Sequence, residues 1–165
     1  MLPGPSHPTD ALGLLMACHE RIHRYLGGLG ALAALEGSAD PRVVPTAVSC
    51  LRYFRDGLPL HGQDEDHSLA PRLRALSPDA QVLEAMDRMS EEHAALDQGL
   101  PEVLERLADV AEGRAAPLVE PHRWLSELLT RHLAMEEATI FPAMSALPPA
   151  ELDAIVAEIR GRRTA

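Results

Sequence analysis

Apolar residues recur every three to four positions along most of the chain, and short segments rich in Pro, Gly, Ser and Asp interrupt this pattern. Such spacing places the apolar side chains on one face of an α-helix. The interruptions carry residues that cap or break helices. The pattern predicts four long helices at about 10–35, 41–68, 78–112 and 117–145, and a short fifth helix at about 149–160.

Capping residues and breakers mark the predicted helix boundaries. The predicted starts lie at Thr9 or Asp10, Asp40, Ser77 and Pro117, and the predicted ends lie at Gly37, Pro71 and Gly113. Short connections between long helices make consecutive helices antiparallel. We therefore expect an all-α fold, an up-down-up-down four-helix bundle with a short C-terminal fifth helix. We expect residues 1–165 to form a single domain in which 1–8 are flexible.

The apolar stripe of each long helix contains a polar break well inside the helix. These breaks are His19 in the first helix, His61 and Glu65 in the second, His93 in the third, and His132 and Glu136 in the fourth. Burying imidazoles and carboxylates is costly unless they are paired or bind a metal ion. Because breaks at the same level of a bundle can converge, the pattern predicts a metal centre in the core.

Two of the breaks have the spacing His-x-x-x-Glu, which places an imidazole and a carboxylate one turn apart on the same helix face. Two such helices that face each other can supply carboxylates that bridge two metal ions. Imidazole and carboxylate ligands without thiolates suit iron, manganese or zinc. Cys18 and Cys50 form no metal-binding motif, so we expect both to be packing residues.

Charge and composition exclude several other classes of protein. The formal net charge is −10, which argues against nucleic acid or an anionic membrane as the main partner. The basic residues Arg160, Arg162 and Arg163 are interpreted as favourable charges at a helix C-terminus. No apolar run reaches the roughly 20 residues of a membrane span, and the start lacks the layout of a signal peptide. We therefore expect a cytoplasmic protein.

Four segments of the sequence resemble the helix motifs of the hemerythrin-like, HHE cation-binding family. They are LLMACHERIHRYL, YFRDGLPLHGQDEDHSLAPRL, MSEEHAALD and RHLAMEEATIFPAM. The resemblance implies an up-down bundle with a non-haem di-iron site and an oxo or hydroxo bridge. It implies His19, His61, Glu65, His93, His132 and Glu136 as the metal ligands. The two glutamates would be the bridging carboxylates.

The sequence departs from the family pattern on the third helix. Oxygen-carrying hemerythrins have a second histidine one turn after the first on this helix, and here that position is Asp97. The full set of five histidines is therefore not reproduced, which argues against reversible oxygen carriage. His23, one turn after His19, and Asp97 itself are additional candidate ligands.

Three functions are compatible with these features. The first is a di-iron protein that senses, binds or buffers iron, oxygen or nitric oxide. The second is a di-iron enzyme, such as a ferroxidase, a peroxide-consuming protein or an iron–sulphur cluster repair factor. The third is a metal-free helical interaction module. The first is preferred because the ligands have no acid–base or substrate-pocket signature beside them, and the third leaves buried charges uncompensated. The expected partners are oxygen, nitric oxide or peroxide, and the sequence identifies no protein partner.

Overall fold

The computed structural model describes residues 9–35 and 40–164, and every regular element in these ranges is helical. The helices are α1 at Ala11–Ala34, α2 at 41–76, α3 at Ala80–Ala111, α4 at 119–145 and α5 at Pro149–Arg162. The fold is an all-α bundle of four long helices and a shorter fifth, which confirms the predicted fold class. The predicted stop at Gly37 and the predicted flexible start, 1–8, lie outside the described residues.

Aspartates cap the first three helices. The side chain of Asp10 accepts a hydrogen bond from the backbone N–H of Gly13, and Asp40 accepts one from Arg42. The prediction that Ser77 caps α3 is wrong, because Asp79 accepts the bond from the N–H of Gln81 instead. A carboxylate at this position adds a favourable charge at the positive end of the helix to the capping bond.

The fourth helix begins later than predicted. Its first residue is Val119 and not Pro117, and residues of the connection 112–118 pack into the core before the helix begins. Ala116 and Leu118 of this connection are both buried. Gly113 has a φ of 80°, in the left-handed region that glycine adopts without steric cost, and it ends α3 as predicted.

The second helix extends past Pro71, where the sequence predicted its end. It begins with a 3₁₀ turn and contains two π turns, in which backbone hydrogen bonds span five residues. Its segments are Pro41–Val43, Val44–Arg52, Tyr53–Gly57, Leu58–Asp64, Glu65–Leu69 and Ala70–Leu76. Helix α4 contains one π turn between two α-helical segments, with segments Val119–Met135, Glu136–Ile140 and Phe141–Ser145.

A proline follows each of the three π turns, two residues after its end. These are Pro59, Pro71 and Pro142. Proline lacks an N–H group, and its ring crowds the carbonyl one turn back in an α-helix. The wider π turn provides room at this point, so the helix continues through the proline. These three prolines therefore do not end their helices. The predicted helix end at Pro71 is wrong.

The long helices pack in a closed ring in which α1 contacts α2, α2 contacts α3, α3 contacts α4 and α4 contacts α1. The fifth helix lies against α1 and α2. In the described part of the chain, no helix is both long and apolar enough to cross a membrane.

Two apolar clusters fill the bundle, one towards each end. The first contains Ile22, Phe54, Leu96, Leu125 and other apolar residues of α1 to α4. The second contains Leu15, Leu73, Met86, Met144, Ile155 and their neighbours, and includes residues of α5. On each long helix the predicted polar break lies between residues of the two clusters. The apolar clusters therefore enclose a polar layer in the middle of the bundle.

Candidate metal centre

The structure brings the six predicted ligands together in the polar layer. They are His19, His61, Glu65, His93, His132 and Glu136. The side chains of Glu65 and Glu136 have no exposed surface, and His93 is the only one of the six that is not fully buried, with 11% of its side chain exposed. Four helices from different parts of the sequence thus deliver imidazoles and carboxylates to one small volume.

The six side chains form two groups that share the two glutamates. His19 and His61 form the first group with Glu65 and Glu136, and His93 and His132 form the second group with the same two glutamates. Within each group the ligand atoms all lie within 4.8 Å of one another, so each group could hold one metal ion.

Each glutamate directs one oxygen towards each group. In Glu65, Oε1 lies 3.2 Å from Nε2 of His61, and Oε2 lies 3.2 Å from Nε2 of His93. In Glu136, Oε2 lies 3.2 Å from Nε2 of His19, and Oε1 lies 2.9 Å from Nε2 of His132. This is the arrangement that two carboxylates need to bridge a pair of cations.

Several buried polar atoms of these side chains have no hydrogen-bond partner. They are both oxygens of Glu65, both oxygens of Glu136, Nε2 of His19 and both ring nitrogens of His61. The close nitrogen–oxygen pairs are thus near in distance but are not aligned as hydrogen bonds. Leaving this many buried polar atoms unsatisfied is costly, and native proteins rarely do so without a ligand. The donor set therefore fits metal ions held between the imidazoles and the carboxylates.

Three of the four histidines have a carboxylate on the ring nitrogen that faces away from the two glutamates. Nδ1 of His19 lies 2.7 Å from Glu137, and Nδ1 of His93 lies 2.9 Å from Asp66. Nδ1 of His132 lies 2.9 Å from Glu92, which also accepts hydrogen bonds from two arginines. When Nδ1 carries the proton and donates it to the carboxylate, Nε2 is free to bind a metal.

Helices α2 and α4 present the same local pattern to the centre. His61–Pro71 and His132–Pro142 both read His-x₃-Glu-acid-x₄-Pro, and in both helices the glutamate is the first residue of a π turn. The acid that follows the glutamate, Asp66 or Glu137, reaches the histidine of the neighbouring odd-numbered helix. Only these spaced positions match between the two helices, and the residues between them differ.

The centre is asymmetric at His61, whose Nδ1 is buried and has no hydrogen-bond partner. On α3, Glu92 precedes His93, a predicted ligand, and reaches His132. The residue in the same relation to His19 on α1 is Cys18, whose side chain carries no carboxylate for His61. The sulfur of Cys18 instead accepts a hydrogen bond from Arg21 at 2.9 Å.

The electrostatics of the polar layer separate its two carboxylates. Burial, together with the charge of Glu136, raises the pKa of Glu65 to about 7. Burial acts in the same direction on Glu136, but the adjacent His132 and His19 outweigh it and lower the pKa of that carboxyl. Burial lowers the pKa of His61 to about 3. A cation in each group would remove this conflict, because it favours the charged form of both glutamates and the neutral form of the imidazoles.

The two additional candidates, His23 and Asp97, are placed differently from the six predicted ligands. Both side chains are exposed, and neither belongs to the two groups. Asp97 lies at a cavity lined by His61, His93 and His132. Cys18 and Cys50 are buried and form no disulfide with each other. Burial raises the pKa of the Cys50 thiol to about 11.

The burial of one carboxylate next to the centre was not predicted from the sequence, which indicated a solvated side chain there. Asp64, which precedes Glu65, is paired with Arg162 at 2.8 Å and with Arg163 at 2.6 Å. Arg162 also donates to the hydroxyl of Ser68. These two arginines therefore attach the end of α5 to α2 beside the centre. The sequence had indicated only that these arginines are favourable charges at a helix C-terminus, and it did not predict their pairing with Asp64.

The family model described as the hemerythrin HHE cation binding domain matches residues 10–144. This range contains α1 to α3, nearly all of α4 and all six residues of the two groups. No curated protein matches the chain.

Proposed function

The chain belongs to the hemerythrin HHE cation-binding domain family, and we propose that it binds two iron ions and uses them to sense, bind or buffer oxygen, nitric oxide or iron. The single observation that carries this proposal is the orientation of Glu65 and Glu136. Each directs one oxygen towards His19 or His61 and the other towards His93 or His132.

The proposed ligands of one ion are His19 and His61, and those of the other are His93 and His132. Glu65 and Glu136 are the proposed bridges. Four protein ligands leave positions open on an octahedral ion, where small exogenous ligands could bind. When bound, a pair of irons supplies one-electron redox chemistry and affinity for small molecules such as oxygen and nitric oxide.

The protein's own residues have defined tasks in this proposal. Glu137, Asp66 and Glu92 hold the Nδ1 protons of three histidines and fix their ring orientations. The apolar clusters on both sides of the polar layer limit access by water. A metal-free interaction module is disfavoured, because it would leave seven buried nitrogen and oxygen atoms without partners.

Binding that ends in oxidation is favoured over reversible oxygen carriage. The second group contains two histidines, and the position that would supply a third carries the exposed Asp97. The carboxylates on His93 and His132 add negative charge beside this group, which stabilises the ferric state. An enzymatic role is the alternative, but the residues around the cavity offer no acid–base pair apart from the proposed ligands and their carboxylate partners.

Stopped-flow mixing of the reduced, iron-loaded protein with oxygenated buffer tests this proposal. We expect a rapid reaction with oxygen that leaves the protein oxidised, and we expect nitric oxide to bind to the reduced form. A long-lived spectrum that reverses completely when oxygen is removed would identify an oxygen carrier instead. A spectrum that neither oxygen nor nitric oxide changes would exclude a role in binding or sensing either gas.

A further inference from the structure

A cavity of about 190 Å³ lies beside the proposed metal centre. Its lining includes His93 and His132, the two histidines of the second group, and His61 of the first group. His19 does not line it. A cavity between α1 and α4, beside Phe141 and Glu137, is lined by none of the six proposed ligands. The 190 Å³ cavity therefore approaches the centre from the side of the second group.

The walls and the mouth of this cavity differ in character. The inner walls are formed by buried leucines, namely Leu58, Leu96, Leu100 and Leu129. The exposed residues of the lining are Pro59, Gln63, Asp66 and Asp97. The cavity thus extends from an acidic, solvent-exposed rim to the imidazoles through an apolar interior.

The size of the cavity restricts what can enter it. A water molecule occupies about 30 Å³ in the liquid, so the space suits a few molecules of that size. Most organic ligand sites are larger, at roughly 300 Å³ and above. An apolar wall favours uncharged molecules, and carboxylates at a mouth repel anions before they arrive.

We propose that this cavity admits small uncharged ligands, such as nitric oxide or oxygen, to the metal position between His93 and His132, and that Asp97 at its mouth discriminates against anions. This inference rests on the proposed metal centre. It assigns Asp97 a role in selectivity at the mouth instead of a role as a metal ligand.

Gly62 provides a way to fill the cavity without disturbing the backbone. It lines the cavity, and a Cβ added there would meet only Cε1 of His93, at 4.0 Å, which is an ordinary contact. Alanine is also preferred over glycine inside a helix, so Gly62→Ala should fold well. Gly62→Leu places a branched side chain in the cavity. Gly27→Leu is the matched control, because Gly27 is exposed on α1 and has open space around its Cβ position.

The first experiment measures association of nitric oxide with the reduced, iron-loaded protein by stopped flow, after the iron content of each variant has been determined. We expect Gly62→Leu to keep its iron and to slow association several-fold, because the added side chain occupies the proposed route. Gly62→Ala should have a small effect, and Gly27→Leu should match the wild type. Unchanged association in Gly62→Leu at full iron content would overturn the proposed route.

The second experiment tests discrimination by charge. Azide titrations of the oxidised, iron-loaded protein compare Asp97→Asn with Asp153→Asn, which removes the same charge from an exposed position on α5. We expect azide to bind several-fold more tightly to Asp97→Asn only, and we expect nitric oxide association to be unchanged in both variants. Equal azide affinity in Asp97→Asn and the wild type would overturn the role of Asp97.

The iron content distinguishes failure of this inference from failure of the proposed function. If the wild type binds no iron, the proposed centre is wrong and the inference fails with it. If the wild type and the variants bind iron, but substitutions of Gly62 and Asp97 leave nitric oxide association and azide affinity unchanged, the inference alone is wrong.

Discussion

Glu92 of α3 holds His132 of the neighbouring helix α4, with a carboxylate oxygen 2.9 Å from Nδ1 of the imidazole. Burial acts to raise the pKa of Glu92, but His132 and Arg88 outweigh it and lower that pKa, so the carboxylate stays charged. Glu92 thereby fixes which ring nitrogen of His132 carries the proton and directs Nε2 towards Glu136.

Glu92→Gln should therefore weaken metal binding while the fold is kept. Loss of a carboxylate that supports a ligand histidine typically costs about 10- to 100-fold in metal affinity. The measurement is a competition titration against a chelator of known affinity. Glu91→Gln is the matched control, since Glu91 is the exposed neighbour on the same helix. Equal affinities in the two variants would show that Glu92 does not support the centre.

The attachment of α5 to α2 should be important for stability. In Arg162→Ala/Arg163→Ala, the carboxylate of Asp64 would be left without a partner at a position with no exposed surface. Removing one partner of a buried ion pair costs about 3–5 kcal/mol. Because both arginines are partly exposed, we expect the double variant to lose about 3 kcal/mol of unfolding free energy.

Urea unfolding of the metal-free protein measures this contribution. Arg160→Ala, an exposed position on the same helix, should change the free energy of unfolding by less than about 0.5 kcal/mol. Adding Asp64→Asn to the double variant should restore part of the lost stability, because a neutral amide is easier to bury than an unpaired carboxylate. No difference between the double variant and Arg160→Ala would contradict the pairing.

Metal affinity should increase with pH above neutrality because of His93. Burial lowers the pKa of His93, but Asp66 and Glu65 outweigh it and raise that pKa to about 10 in the metal-free protein. A metal ion that binds at Nε2 must then displace a proton. Each displaced proton makes affinity rise about tenfold per pH unit between neutrality and the raised pKa. The proton on His93 stabilises the metal-free fold, and this contribution is fully present below pH 6.5, the ordinary pKa of histidine. It is lost as the pH rises through about 10.

Calorimetric titration with zinc in buffers of different ionisation enthalpy counts the released protons. We expect His93→Gln to release fewer protons and to show a weaker dependence of affinity on pH. His23→Gln should resemble the wild type, because His23 is exposed and outside both groups. The same proton release in His93→Gln and the wild type would rule out His93 as the source.

The apolar periodicity was sufficient to predict the helices and the level of the polar layer. His19, His93 and His132 each interrupt a run of core residues, and interruptions at matched depth can meet only in the middle of a bundle. The prediction of the bundle follows from the same stripes, because four apolar faces of similar length can be buried by packing against one another.

The π turns and the pairing of α5 could not be predicted from these stripes. A π turn changes the hydrogen-bond offset of the backbone and leaves the order of apolar and polar residues unchanged, so Pro71 was interpreted as a helix end. Asp64 is buried and paired with Arg162 and Arg163 from a distant part of the sequence, whereas its neighbours Gln63 and Asp66 are exposed. Periodicity within one helix carries no information about such a partner.

The amount of iron bound per chain, measured on protein purified from iron-supplemented culture, tests the central claim most directly. We predict about two iron ions per chain for the wild type and for His23→Ala, because the ligands form two groups that share their glutamates. Glu65→Ala and Glu136→Ala should each lose most of both ions, since each carboxylate faces both groups. Near-zero iron in a fully helical wild type, or equal losses in all three variants, would contradict the account.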